Sequence, residues 1–339
     1  MNPTIPVIDI SALVTEVPQA AQQRRLVASQ IAAACRAHGF FYVTGHGIDP
    51  TLIEKLDTLS RRFFALPEAD KLRWRMALGG RAWRGYFVTG GELTSGRSDW
   101  KEGLYLGQEL TEDDPRVRAR TPLHGRNLLP DGPGLEDFGA TILAYIETVT
   151  QLGHRLLEGV ALSLDLPVDY FHARYTADPL VLLRIFNYPS RPPANVDEAP
   201  WGVGEHTDYG LLTLLYQDET GGLQVKTREG WTDAAPLPGS FVVNIGDMLD
   251  RMTSGRYRST PHRVLRNTTA RDRISFPLFF DPNFEARVQR IDDLDGPEPE
   301  DDSATRWDQA NVHAFHGRYG DYLLNKVGKV FPQLVEAVL

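Results

Sequence analysis

Cysteine is almost missing from this chain, which has a single one, Cys35, among 339 residues. One thiol cannot form an internal disulfide, and such sparse use of cysteine is typical of a protein kept in the reducing cytoplasm. Cys35 ends the apolar run that starts at Ile31, so we interpret it as a small core residue and not as a catalytic thiol. A cytoplasmic location is the expectation.

An excess of basic residues is missing as well: 36 Lys and Arg face 45 Asp and Glu, which gives a formal net charge of −9. Neutralising the phosphates of a nucleic acid needs a surplus of Lys and Arg, so nucleic acid is excluded as a partner. The sequence has no run of about 18 apolar residues that could span a bilayer and no signal-peptide pattern, so no membrane partner is expected. The oligomeric state is left open.

The rest of the composition, 42% apolar and 24% charged residues, is that of an ordinary globular protein. The N-terminal part alternates short apolar strands with helices, and Gly39 is predicted to end the first long helix. Apolar residues at three- and four-residue intervals predict a long helix over 135–164 with one buried stripe. A last helix is predicted over 308–327.

After residue 178 the pattern changes to short strands separated by Gly and Pro. These strands are predicted over 181–188, 211–217, 223–226, 241–245, 262–266 and 273–280. Evenly spaced short strands favour a jelly roll, which leaves a small-molecule pocket between its sheets. We therefore predict a mostly β protein with flanking helices (α+β) around a distorted double-stranded β-helix, or jelly-roll, core.

The expected organisation has four parts. They are an N-terminal region of strands, helices and loops over 1–134, a long helix with its connector over 135–178, the jelly-roll core over 179–290, and a C-terminal loop and helix over 291–339.

A candidate metal site comes from His206 and Asp208, which lie two residues apart. In an extended segment such residues point the same way, so both side chains can reach one ion. His262 begins another predicted strand, which a jelly roll can place beside the first. Two histidines and one carboxylate leave three coordination positions open, as in non-haem Fe(II) oxygenases, whereas a closed zinc site would want a fourth ligand.

A candidate anion site follows from Arg273 and Ser275, which share one face of a predicted strand. The planar guanidinium fork suits a carboxylate, and the hydroxyl adds a second donor. Together with an open metal site, the pair suggests a cosubstrate that has one carboxylate in this clamp and its other end on the metal. That description fits 2-oxoglutarate.

Several motifs, in order along the chain, resemble the isopenicillin N synthase-like branch of the Fe(II)/2-oxoglutarate-dependent oxygenases. They are Pro6-Val7-Ile8-Asp9, Gly39-Phe40-Phe41-Tyr42-Val43, His46-Gly47, Gly204-Glu205-His206-Thr207-Asp208-Tyr209-Gly210, Thr260-Pro261-His262-Arg263-Val264, Arg273-Ile274-Ser275-Phe276-Pro277 and Asp281-Pro282. The resemblance implies that His206, Asp208 and His262 bind Fe(II). It also implies that Arg273 and Ser275 hold the distal carboxylate of 2-oxoglutarate.

The same resemblance places Tyr188 near the cosubstrate, although Phe186 stands where many plant members carry Asn. Isopenicillin N synthase itself uses the Arg-x-Ser pair for a substrate carboxylate, so the carboxylate held by the clamp is left open. The implied reaction couples O₂ and the decarboxylation of 2-oxoglutarate to succinate and CO₂ with hydroxylation, or a related oxidation, of a small molecule. Ascorbate is the expected reductant in vitro.

The substrate side of the pocket is predicted to contain Glu92, Arg184, Tyr209 and Phe280. A narrower resemblance, which includes Met252-Thr253-Ser254-Gly255 and Pro282-Asn283-Phe284-Glu285-Ala286, links the chain to the bacterial ethylene-forming enzyme, which acts with L-arginine. Glu92, Arg184 and Tyr209 fall on contact positions of that enzyme, while Lys329 stands in place of its carboxylate-binding arginine. The segment Asp99-Trp100-Lys101-Glu102 lies in the same loop-rich region as Glu92.

Two other functions fit parts of the pattern. A non-catalytic jelly-roll protein could retain the metal site for binding alone, but it has no need of three open coordination positions. A zinc hydrolase would need a general base, for which the sequence near the metal site offers only Glu205.

Overall fold

The computed structural model describes residues 5–15, 21–94, 96–190, 201–292, 294, 301, 303–306 and 308–330. The strands are β1 (Val7–Asp9), β2 (Phe40–Thr44), β3 (Gly85–Phe87), β4 (Leu93–Thr94), β5 (Arg97–Ser98), β6 (Glu102–Gly107), β7 (Leu180–Tyr188), β8 (Trp201–His206), β9 (Leu212–Gln217), β10 (Leu223–Thr227), β11 (Gly230–Asp233), β12 (Phe241–Ile245), β13 (His262–Leu265), β14 (Arg273–Asp281), β15 (Arg287–Val288) and β16 (Gly317–Arg318). The α-helices are α1 (Ser11–Val14), α2 (Ala21–Ala37), α3 (Pro50–Phe64), α4 (Glu68–Lys71), α5 (Pro115–Arg118), α6 (Phe138–Ser163), α7 (Asp247–Met252) and α8 (Tyr319–Val330). Within these ranges, none of the helices has the length and apolar character needed to cross a membrane.

Two sheets form the core. The larger has eight strands in the order β1-β2-β12-β9-β14-β7-β6-β3, and the smaller has four in the order β11-β10-β13-β8. Side chains from both sheets line one cavity between them. The predicted class, a mostly β protein with flanking helices around a jelly-roll core, is confirmed.

Each strand predicted after residue 178 is present, with bounds that differ by a residue or two. The sequence pattern missed β8, because its Trp-Gly-Val-Gly-Glu-His sequence has few apolar residues and no regular alternation. This strand forms by antiparallel pairing with β13, where Val203 lies opposite Val264 and His206 opposite His262.

The N-terminal part of the chain completes the larger sheet at both edges, with β1 and β2 beyond β12 and with β6 and β3 beyond β7. Helix α2 ends as predicted, since Gly39 has a φ of +63°, a left-handed conformation that costs glycine little. The four-part division of the chain stays a prediction.

Helix α6 covers the outer face of the larger sheet with its predicted stripe. The stripe residues that are buried include Phe138, Ile142, Tyr145, Ile146, Val149, Leu152, Leu156 and Val160. Because side chains alternate along a strand, one set on β14 meets this helix: the Phe276 ring lies 5.8 Å from Tyr145 and the Phe280 ring 4.9 Å from His154. The other set on β14 therefore faces the cavity.

The C-terminal helix begins later than the predicted residue 308. The side chain of Asn311 accepts hydrogen bonds from the backbone N–H groups of His313 and Ala314 and caps a single 3₁₀ turn. The chain then pairs as β16 with β15 before α8 starts at Tyr319. The prediction was wrong here because a polar cap and a strand pairing interrupt the helical spacing.

Buried ion pairs hold this C-terminal segment against α7. The Arg306 guanidinium contacts Asp247 at 3.2 Å and Asp250 at 3.0 Å, and the Tyr322 hydroxyl donates to Asp247 at 2.8 Å. As a result, Leu323 and Val327 of α8 close one side of the cavity.

Gly153 is required by the contact between α6 and β14. A Cβ at this position would lie 2.4 Å from Cδ2 of Phe280, which is fully buried. We expect Gly153→Ala to lower the free energy of unfolding by about 1–2 kcal/mol, since overpacking costs about 1–3 kcal/mol and the better helix propensity of Ala offsets at most about 1. Urea unfolding monitored by circular dichroism measures the change.

The matched control is Gly139→Ala in the same helix, where the added Cβ would meet only the Leu129 side chain, at 3.2 Å. A stability of Gly153→Ala equal to that of Gly139→Ala would contradict the tight contact with Phe280.

Candidate active site

The cavity between the sheets has a volume of about 140 Å³. Its walls come from β2, β6, β7, β9, β12 and β14 of the larger sheet, from β8, β10 and β13 of the smaller one, from the Glu92–Thr94 segment and from α8. The polar side chains in these walls gather in three groups.

The first group consists of His206, Asp208 and His262, as the sequence predicts. His206 ends β8 and His262 begins β13 directly opposite it, while Asp208 lies in the turn after β8. The three ligand atoms lie within 4.8 Å of one another, and Nε2 of each imidazole is 3.7 Å from Oδ1 of Asp208. This spacing lets the three atoms converge on one ion.

Backbone carbonyls orient both imidazoles. Nδ1 of His206 is 2.8 Å from the carbonyl oxygen of Gly204, and Nδ1 of His262 is 3.2 Å from that of Thr260. A carbonyl only accepts, so Nδ1 carries the proton and Nε2 presents its lone pair to a metal. Burial, together with the neighbouring His206, lowers the pKa of His262 to about 4, which keeps that imidazole neutral.

Two hydrogen bonds fix the orientation of the Asp208 carboxylate. Its Oδ2 accepts hydrogen bonds from Thr213 at 2.6 Å and from Asn244 at 2.7 Å, so Oδ1 remains directed at the imidazoles. Burial alone raises its pKa, but His262, His206 and these two hydrogen bonds outweigh it, and the pKa of Asp208 is lowered. The side chain is therefore ionised, and the donor set of two imidazoles and one carboxylate fits Fe(II).

Within the described residues, this is the one group of three or more His, Cys, Asp or Glu side chains spaced to hold a metal. Glu205, the base that a zinc hydrolase would need, instead forms an ion pair with Lys226 at 2.7 Å and is partly exposed. No fourth ligand from the described chain closes the site, so one side of the metal position stays open.

The second group is the predicted clamp on β14. Arg273 is 1% exposed, its Nη2 donates to Gln217 at 3.1 Å, and its guanidinium lies 4.6 Å from the centre of the Tyr188 ring. Its Nε and Nη1 have no hydrogen-bond partner among the described residues. Because a buried cation with free donors is costly, the position fits a carboxylate, with Ser275 on the same face of the strand.

The third group forms the rest of the wall and includes three of the four predicted substrate residues, Glu92, Arg184 and Tyr209. The fourth prediction, Phe280, was wrong, because this side chain packs on α6 on the opposite face of β14. Its neighbour Phe279 faces the cavity instead. The strand was correctly predicted, but its orientation depends on how it packs in the fold.

Several wall residues escaped the sequence analysis, above all Lys101, Tyr105 and Asp281. Lys101 belongs to the Asp-Trp-Lys-Glu segment of the loop-rich region, and its proximity to Glu92 in sequence was the available signal. Asp281 directly follows Phe280 in the β14 motif; burial raises its pKa to about 7 although the Tyr319 hydroxyl donates to it. Lys329 is exposed on α8 and is not part of the wall.

Family models match both halves of the chain. The N-terminal model, described as non-haem dioxygenase in morphine synthesis N-terminal, matches residues 5–132. The model of the 2OG-Fe(II) oxygenase superfamily matches residues 179–282, which contain His206, Asp208 and His262 as well as Arg273 and Ser275.

Three relatives are similar along almost the whole chain. A probable iron/ascorbate oxidoreductase of Dictyostelium discoideum is 54% identical over 99% of this chain and 97% of the relative. A 1-aminocyclopropane-1-carboxylate oxidase of the same organism is 40% identical over 98% and 96%. A homoarginine-6-hydroxylase of Arabidopsis thaliana is 36% identical over 98% and 90%.

Solved structures show the same architecture. A full-length Neurospora crassa protein in complex with alpha-KG and thymine has a TM-score of 0.77 and 27% identity, covering 96% of both chains. JOX2 in complex with 2OG, Fe and JA has a TM-score of 0.74 and 26% identity, covering 99% of this chain and 89% of JOX2. With its intact His-Asp-His group, the chain belongs to the 2OG-Fe(II) oxygenase superfamily and is an Fe(II)- and 2-oxoglutarate-dependent dioxygenase that acts on a small molecule.

Proposed function

We propose that this enzyme hydroxylates a basic amino acid, and that His206, Asp208 and His262 are its iron ligands. The observation that carries the substrate class is the Glu92 carboxylate in the wall of the cavity that contains these ligands. A carboxylate in the wall of this cavity favours a cationic group of the substrate, because charge-assisted hydrogen bonds are about twice as strong as neutral ones.

Arg273 and Ser275 bind the distal carboxylate of 2-oxoglutarate in this proposal, and Tyr188 packs against the guanidinium. The free Nε and Nη1 of Arg273 support this role. His206, Asp208 and His262 would hold Fe(II), and the other end of 2-oxoglutarate would reach the metal from the cavity. The cosubstrate and the substrate therefore occupy different parts of the cavity.

The charges of an amino acid complement those of Arg184 and Glu92 in the rest of the cavity wall. Arg184 is 9% exposed in the wall, its guanidinium lies 3.4 Å from the centre of the Tyr105 ring, and it forms no ion pair among the described residues. It can take the substrate carboxylate, while Glu92 takes an ammonium or guanidinium group. The names of two relatives support this class, since homoarginine and 1-aminocyclopropane-1-carboxylate are amino acids.

The protein contributes to the reaction by orienting the ligands and the substrate and by excluding water. Bound Fe(II) and 2-oxoglutarate supply the oxidising power from O₂, with succinate and CO₂ as products. The chain holds the ligands through the Gly204 and Thr260 carbonyls, keeps Asp208 ionised, and closes the cavity with the apolar side of α8. Glu92 and Arg184 then fix which C–H bond of the substrate faces the iron.

Hydroxylation is favoured over the ethylene-forming alternative because Lys329, the counterpart of the carboxylate-binding arginine in that resemblance, is exposed outside the cavity wall. A cytoplasmic location is part of the proposal; it is supported by Cys35, whose thiol is unpaired and buried and whose pKa is raised by that burial.

The direct test supplies the enzyme with Fe(II), ascorbate, 2-oxoglutarate and one amino acid at a time: L-homoarginine, L-arginine, L-lysine or the neutral L-norleucine. We expect succinate formation above the substrate-free rate, and a product heavier by one oxygen atom, with a basic amino acid and not with norleucine. If none of the basic amino acids gives such a product, the substrate class is wrong. Ethylene as the main product with L-arginine would instead support the alternative.

Glu92→Gln is expected to raise the KM for the accepted amino acid about 10- to 100-fold, because a hydrogen bond to a charged group contributes about 1.5–3 kcal/mol. The KM for 2-oxoglutarate should change less than about twofold, since the contacts of this carboxylate are with Lys101 and Tyr105 and not with the clamp. Initial rates of succinate formation measure both constants. Glu205→Gln, which removes a partly exposed carboxylate outside the cavity wall, is the matched control, and an equal KM change in both variants would contradict the role of Glu92.

A further inference from the structure

Lys101 is a buried cation in the cavity wall, between the proposed substrate residue Glu92 and the segment that carries His206. It is 1% exposed, its Nζ lies 2.8 Å from Oε2 of Glu92, and it donates a hydrogen bond to Asp99. The same Nζ lies 4.9 Å from the centre of the Phe186 ring. An ammonium group is stable at such depth only when anions surround it.

Asp99 continues the contacts toward the iron ligands. Its Oδ2 also accepts from the Thr94 hydroxyl at 2.7 Å, and its Oδ1 accepts from the backbone N–H of Gly204 at 3.2 Å. The carbonyl oxygen of the same Gly204 receives the Nδ1 hydrogen bond of His206 at 2.8 Å. An unbroken series of polar contacts therefore runs from the substrate wall to the back of an iron ligand.

Glu92 depends on this cation for its position. Its Oε1 accepts a hydrogen bond from the Tyr105 hydroxyl, and Oε2 has Lys101 as its ionic partner. Although burial lowers the pKa of Lys101, the surrounding Asp99 and Glu92 outweigh it and raise that pKa. The lysine thus stays charged and holds together two carboxylates that would otherwise repel each other.

We infer that Lys101 is a positioning residue that sets Glu92 for the substrate and, through Asp99 and Gly204, fixes the orientation of His206. The half of this inference that concerns substrate rests on the proposed function of Glu92. The half that concerns the metal does not, because it follows from the contacts of Asp99, Gly204 and His206 alone. Binding at Glu92 and coordination by His206 are coupled through one side chain.

The test compares Lys101→Met, Glu92→Gln and Asp99→Asn with the unmodified enzyme. Co(II) replaces Fe(II), because its absorption spectrum reports ligand geometry without turnover. We expect Lys101→Met and Asp99→Asn to weaken Co(II) binding about 10-fold and to change its spectrum, as loss of a residue that orients a metal ligand does. Glu92→Gln leaves the Lys101–Asp99 and Asp99–Gly204 contacts in place and should change Co(II) binding and the spectrum less than either of these variants.

The role of Lys101 in substrate binding is tested by calorimetry, which measures the affinity of the Co(II)- and 2-oxoglutarate-loaded enzyme for L-homoarginine. Lys101→Met should weaken binding about 10-fold, and adding it to Glu92→Gln should weaken binding little further, because both changes disable the same contact. Fully additive losses would overturn this half. If L-homoarginine does not bind the unmodified enzyme, the choice of substrate is wrong, while the Co(II) comparison still decides the metal half.

Wild-type Co(II) affinity and spectrum in both Lys101→Met and Asp99→Asn would overturn the link to His206. Urea unfolding of each variant shows whether it is folded. Asp99→Asn keeps the test valid if Lys101→Met does not fold, because Asn is close to Asp in shape but lacks the charge that pairs with Lys101 and strengthens the bond to the Gly204 N–H.

Discussion

Replacing His206 with Ala is expected to reduce kcat/KM for succinate formation by about 10³-fold or more, the largest effect of any change considered. The reason is that its Nε2 is one of the three ligand atoms that converge at the site within the described part of the chain, and a metal contributes several kcal/mol to the reaction it supports. Iron content after anaerobic loading, measured beside the succinate rate, should fall in parallel.

His46→Ala is the matched control for that variant. The His46 imidazole also lies against a backbone carbonyl, that of Gly239 at 3.1 Å, but it is outside the cavity wall. We expect full iron content and a normal rate from this control. Retention of stoichiometric iron and normal turnover in His206→Ala would contradict the assignment of the metal ligands.

The fold could be predicted from the sequence wherever local pattern and final environment agree. The strands that became β7, β9, β12 and β14 carry apolar and β-branched runs, and most of their residues are buried in the larger sheet. The strand β8 has no such pattern and exists because β13 pairs with it. Its absence from the predicted set shows that a strand held mainly by its neighbour has a weak sequence signal.

The orientation of a strand is harder to predict than its existence. Phe279 and Phe280 are equally apolar, and both lie inside the predicted strand. Which of the two reaches the cavity depends on the packing of α6, where Gly153 leaves room for the Phe280 ring. A shift of one residue exchanges the two faces of a strand, and this is why Phe280 was assigned to the wrong side.

In the candidate site, too, some residues could be predicted from the sequence and others could not. The pairs His206/Asp208 and Arg273/Ser275 could be predicted because each pair lies two residues apart along one segment. His262 lies far along the chain and could be added only from the strand pairing expected of a jelly roll. The burial of Lys101 could not be predicted, since a lysine in a charged loop is normally solvated and this one is buried beside Asp99, Glu92 and Phe186. Its two anionic partners are near in sequence, but Phe186 comes from β7, and that contact depends on the fold.

Arg273→Leu is expected to raise the KM for 2-oxoglutarate about 100-fold or more, because a buried, charge-paired donor contributes about 2–5 kcal/mol to binding. The KM for the amino acid should stay within about threefold, and steady-state rates at varied concentrations of each compound separate the two constants. The same substitution should not lower the free energy of unfolding of the ligand-free protein. In that state, two of the three guanidinium nitrogens have no partner among the described residues, so a leucine removes a buried charge that the fold does not compensate.

Arg263→Leu on β13 is the matched control, since its guanidinium covers the Trp201 and Trp231 rings at 4.4 and 3.9 Å and takes no part in the cavity wall. The two KM values also decide which carboxylate the clamp holds. A large rise in the amino-acid KM with an unchanged 2-oxoglutarate KM would move the substrate carboxylate into the clamp, as in isopenicillin N synthase. A rise in the 2-oxoglutarate KM alone, combined with undiminished stability, assigns the clamp to the cosubstrate, because only binding of that molecule then depends on the buried charge.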